Sequence, residues 1–158
     1  MGYKPSTHPK EYERRNKSYA KAQKTTKDYV ARGEDTAVTL DSWATTMNDW
    51  LKAHGKKAKT ARDAAKALKG LGETDKSLFE GYAKTVALIM ATEGEIEALG
   101  DPGGDKAKEK KRQKLEQKHK GLVQQADAAL GAMNINVSAM EATAQLIKDC
   151  AEIAAPKL

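Results

Sequence analysis

The stretch LFEGYAKTVALIMATEGEIEAL, residues 78–99, decides the fold. Leu78, Tyr82, Thr85, Ile89, Thr92, Ile96 and Leu99 step by three and four residues, so they share one side of a helix. Phe79, Val86 and Met90 widen that side into a stripe broad enough to need a packing partner. The helix ends at the strongest turn signal in the chain, Asp101-Pro102-Gly103-Gly104-Asp105, which combines a fixed proline φ with two glycines.

Working outward, the same periodicity recurs. Leu40, Trp43, Met47, Trp50 and His54 form a second stripe, Leu115, Leu122, Ala126, Ala129 and Met133 a third, and Met140, Thr143, Ile147, Cys150 and Ala154 a fourth. No stretch alternates with period two for long enough to make a strand. The expected fold is all-α, a single-domain bundle of about six helices, some long and antiparallel. Glycines are read as the stops: Gly33, Gly55, Gly70 with Gly72, and the softer break Asn134 to Asn136. Asp35 and Ser138 are expected to cap helices, the latter with Glu141 in capping-box spacing. Residues 1–8 are expected to form a flexible N-terminal segment, and residues 9–158 the bundle.

Composition sets the limits. The 158 residues suffice for one core without disulfides or metal, but aromatics make up only 5% and charged residues 32%. Much of the apolar content is alanine, which propagates helices well and buries little area. The single cysteine, Cys150, cannot form an internal disulfide and lies in a helical stripe, which makes it a small core residue rather than a nucleophile. The longest apolar run, Val86 to Ala91, is too short to cross a membrane, and no apolar signal region is visible near the N-terminus. A cytoplasmic location is the default, although export without a leader would leave no such trace in the sequence. Met1-Gly2 to Ser6 fits a loose acylation pattern, though a bulky Tyr3 follows Gly2.

Net charge is +6 and is unevenly distributed. Residues 1–33 carry +6, 34–55 carry −3, 56–72 carry +5, 73–101 carry −5, 102–120 carry +5 and 121–158 carry −2. Such alternation suits neighbouring antiparallel helices whose flanks complement one another. It would equally suit an anion-binding face, if the basic segments converge. The candidate anion-binding residues are Arg14, Arg15 and Lys17 in the first helix, and Lys106, Lys108, Lys110, Lys111, Arg112 and Lys114 in the run after the turn. Lysine dominates that run, which suits phosphate contact better than base reading. From Asp105 to Lys114 the only apolar side chain is Ala107, so these turns have nothing to bury and should project from the core or fray. Tyr12 and Tyr19 lie seven residues apart amid cations and are read as the buried side of the first helix. Trp43, Met47 and Trp50 are the candidate core or interface anchors.

No catalytic set is expected. Glu116-x-x-His119 has the spacing of one half of a di-iron motif, but the second half is missing and lysines flank His119. Gly55-Lys-Lys-Ala-Lys-Thr60 lacks phosphate-loop spacing. The sequence therefore leads to a non-catalytic helical interaction or assembly protein: an adaptor, chaperone, small secreted partner or structural subunit, without metal or cofactor. Its partner would be another protein or a second copy. The alternative is a sequence-nonspecific nucleic-acid or polyanion binder using basic helices, and the third a membrane-surface helical scaffold. No small-molecule substrate is evident.

Overall fold

A computed structural model describes residues 3–46 and 52–154, with side chains omitted over 43–55 and at 154. Three helices account for nearly all of it: α1 His8–Thr46, α2 Lys52–Leu99 and α3 Lys106–Ala154. The chain is all-α, with no strand among the described residues. No helix of the described residues is long and apolar enough to cross a membrane.

Among the described residues the helix count is corrected from about six to three. Gly33, Gly55, Gly70, Gly72 and Asn134 to Asn136 all lie inside continuous helices, and Asp35, Ser138 and Glu141 are mid-helix rather than caps. The physical reason is one of magnitude. A helical glycine costs about 1 kcal/mol relative to alanine. A break would orphan four N–H and four C=O groups and interrupt the buried stripe. Two of these glycines also serve packing. A Cβ on Gly33 would lie 3.0 Å from the Ala65 Cβ and 3.1 Å from the Ile147 Cδ1, and one on Gly72 would lie 3.0 Å from the Thr26 Cγ2. They are contact points where helices approach closely. Asn136 is likewise used inside its helix: its side-chain amide is buried and donates to the Leu71 carbonyl at 2.9 Å.

The one break described in full is the turn read from the sequence. Gly100, at φ 65°, takes the left-handed conformation that ends α2, and its N–H donates to the Ile96 and Glu97 carbonyls. Asp101 accepts from the Gly103 N–H, and the Asp105 N–H donates to the Pro102 carbonyl. The Asp105 carboxylate then caps α3 by accepting from the Ala107 and Lys108 N–H groups.

The chain packs as two compact units, and each helix contributes a stretch to both. The first comprises Met1–Ser18 and Ser77–Met133. It buries Phe79, Tyr82, Val86, Ile89, Thr92 and Ile96 of α2 and Leu115, Leu122, Ala126 and Met133 of α3. The α2 stripe is thus the expected one, except that Met90 is 56% exposed. Tyr12 of α1 stacks on Phe79, with centroids 5.5 Å apart, and tilts against Tyr82, in line with its reading as a packing residue.

The second unit comprises Tyr19–Lys76 and Asn134–Leu158. Its core is built largely of alanine. One cluster holds Ala37, Leu40, Ala58, Ala61 and Cys150, with Ile153 packed against it. Another holds Ala64, Leu68 and Ile147, flanked by Tyr29, Val30, Met140 and Ala144. Small buried side chains let helix axes approach closely but remove little apolar area from water. The Cys150 thiol is buried, and that burial pushes its pKa up, as befits a core residue.

Candidate functional site

The described polar features of the first unit fall into two places. The first is a buried clamp that ties the residues ahead of α1 to the α2–α3 hairpin. Thr7 starts α1, its carbonyl accepting from the Glu11 N–H, and the Ser6 hydroxyl accepts from the His8 N–H. This fixes His8 in the first turn, where its ring enters the hairpin. His8 Nε2 lies 2.7 Å from Asp127 Oδ1, and Nδ1 lies 2.7 Å from the Tyr82 hydroxyl. A carboxylate accepts, so Nε2 carries the proton and Nδ1 accepts from the Tyr82 O–H. The relay runs from hydroxyl to imidazole to carboxylate with both imidazole nitrogens partnered. Burial pushes the Tyr82 phenol up, and its side chain is fully enclosed. The hydroxyl is therefore a buried hydrogen-bond donor rather than an exposed nucleophile.

A parallel contact lies toward the turn. His119 Nε2 is 3.2 Å from Glu93 Oε2, and both Glu93 oxygens accept from the Ser6 N–H at 3.3 Å. Tyr3 meets the His119 ring edge-on at 5.0 Å. Its phenol is pushed up by burial and then by the nearby Glu93 and Glu97 carboxylates. The Glu116-x-x-His119 spacing is not used as a pair: Glu116 accepts from Arg112 at 3.2 Å while His119 turns to Glu93. Among the described residues no three His, Cys, Asp or Glu side chains gather so as to hold a metal ion.

The second place is the start of α3. Every residue from Gly103 to Lys111 is exposed, so these turns, which lack large apolar side chains, bury none of their own. Arg112 is held, donating to the Gly100 carbonyl at 2.9 Å and to Glu116. Lys106, Lys108, Lys110, Lys111 and Lys114 are exposed and form no ion pair among the described residues.

The structure keeps the two groups of sequence-derived cations apart. Tyr12 packs at Phe79, and α1 runs from His8 at Tyr82 past that point, whereas Arg112 bonds to Gly100 at the other end of the α2 segment. The 21 residues between Phe79 and Gly100 span about 30 Å of helix. Arg14 and Arg15 are also engaged: both donate to Glu11, at 2.5 Å and 2.9 Å. Lys17 is exposed on the same helix. Met47 and Trp50, and the side chain of Trp43, lie outside the described residues, as does the side chain of His54.

The Glu11 cluster gives a pH prediction. Hydrogen bonds from Arg14 and then Arg15 hold the Glu11 carboxyl down, to about 2 from its ordinary 4.5. A depressed carboxylate stabilises the fold fully above its unfolded value and loses that contribution as pH falls through the folded one. Unfolding midpoints of the native chain should therefore fall between pH 4.5 and about 2, whereas Glu11→Gln should lie lower at neutral pH and fall less over that window. Urea titrations at a series of pH values read this directly. Arg14 is two-thirds exposed, so the effect should shrink with added salt.

No protein-family model, no curated protein and no solved structure matches this chain.

Proposed function

We propose that this chain is a non-catalytic helical interaction or assembly protein, working as an adaptor, chaperone, small secreted partner or structural subunit. One observation carries the reading. Alanine occupies many buried positions, while Val38, Leu88, Met90, Ile135 and Leu146 are 49–74% exposed on the helices. Large apolar side chains left in water, on helices whose second-unit core is built largely of alanine, give those helices reason to take on a further partner. The occupant that needs least invention is a second copy of the chain, whose own helices offer the same faces.

Size exclusion with light scattering tests this. The expected result is a defined dimer or larger assembly that Ile135→Glu or Leu88→Glu returns to monomer with helicity unchanged. A chain that remains monomeric across the concentration range, and whose thermal stability neither substitution alters, would overturn self-assembly.

A further inference from the structure

The exposed first turns of α3 carry their charge in an ordered way. Lys106, Lys110, Lys114 and Lys118 follow one another at four-residue steps, and in a helix of 3.6 residues per turn they form a single slowly winding row. Lys111 lies beside that row, about two turns before Lys118. All five are exposed, and none is in an ion pair among the described residues. Of the carboxylates on this stretch, Asp105 caps the helix by accepting from the Ala107 and Lys108 N–H groups, and Glu109 and Glu116, seven residues apart, share the opposite flank, where Glu116 is taken by Arg112. The row is thus a ridge of one sign about 18 Å long. Like charges at four-residue spacing weaken a helix, so they serve no evident folding purpose.

We propose that this ridge docks on the phosphate backbone of double-stranded nucleic acid, without reading bases. A duplex presents one negative charge per roughly 1.7 Å of axis, dense enough to meet every lysine of the ridge. The first turns of α3, exposed at every residue from Lys106 to Lys111, are about 10–12 Å across, a match for a major groove about 12 Å wide, while the turns of Lys114 and Lys118 present the row on their outer side. Three features select this partner. The ridge has no aromatic side chain on which single-stranded bases would stack. From Asp105 to Lys114 the only apolar side chain is Ala107, too little to insert into a bilayer. The forked guanidinium that would pair with guanine is tied down at Arg112, leaving only point charges. The docking does not depend on self-assembly.

The test is fluorescence anisotropy of a labelled DNA duplex titrated with the full chain at two salt concentrations, its mass followed by light scattering. Five phosphate contacts predict an affinity that falls about 500-fold for a fourfold rise in salt. Changing Lys106, Lys110, Lys114 and Lys118 together to alanine should weaken binding at low salt by more than about 100-fold. Alanine is the better helix former, so loss of fold is not the expected cause, and circular dichroism checks it. The same four positions changed to arginine should retain binding. The triple change Arg14→Ala, Arg15→Ala, Lys17→Ala should leave it nearly unaltered. Duplex binding that is absent at low salt, insensitive to salt, or lost equally in the α1 variant overturns the proposal. So does tighter binding to a single strand, or to phosphatidylserine vesicles, which would assign the ridge to that partner instead.

Discussion

Replacing His8 by alanine should lower the unfolding free energy by about 3 kcal/mol, the sum of a small cavity and a buried hydroxyl left without its acceptor. The imidazole is 6% exposed and joins Tyr82 to Asp127, so its removal orphans a fully buried phenol and releases a carboxylate that is itself mostly exposed. The cost therefore falls mainly on Tyr82. A double-mutant cycle separates the parts. Tyr82→Phe alone should destabilise, but in the His8→Ala background it should cost little or stabilise, giving a coupling of about 1–2 kcal/mol. Urea unfolding of the four proteins measures it. An additive cycle would mean that the His8–Tyr82 bond contributes nothing net.

Gly33→Val should be comparably damaging, by about 3 kcal/mol, because extra methyl groups would be forced into a closed helix contact. The Cβ alone would sit 3.0 Å from the Ala65 Cβ, which is fixed to its own backbone and cannot rotate away. The Ile147 Cδ1 and Cγ1 atoms, at 3.1 and 3.2 Å, would have to shift as well. Gly70 is the control. It is helical too, yet a Cβ there meets nothing within 4 Å, so Gly70→Ala should gain up to about 1 kcal/mol. Thermal melts of the two variants should move in opposite directions. If both rose, Gly33 would be only a weak helix former and not a packing residue.

Those two glycines show what could and could not be read from the sequence. Helical class followed from the spacing of Tyr82, Ile89, Thr92 and Ile96, because one helix's own period encodes which side it buries. The turn at 101–105 was legible because its signals are local: a proline, two glycines and flanking aspartates. Gly33 and Gly72 were read as stops because their role is set by Ala65, Ile147 and Thr26, which no local pattern reveals. The clamp escaped for the same reason. His8 meets partners 74 and 119 residues away, whereas ligand-spacing rules search within a helix or two. Local charge density did find the run from Lys106 to Lys114, but not its continuation through Lys118 or its distance from Arg14 and Arg15.

The alanine lining of the second unit also bears on its response to temperature. Heat capacity of unfolding comes mainly from apolar surface newly wetted, at about 0.45 cal/mol/K per Å². Methyl groups such as those of Ala37, Ala58, Ala61, Ala64 and Ala65 supply less of it than leucines or phenylalanines in the same places. The enthalpy of unfolding this unit therefore changes slowly between cold and warm, and its stability curve is broad and shallow. Cooling removes little of its stability and denaturant acts on it with a gentle slope.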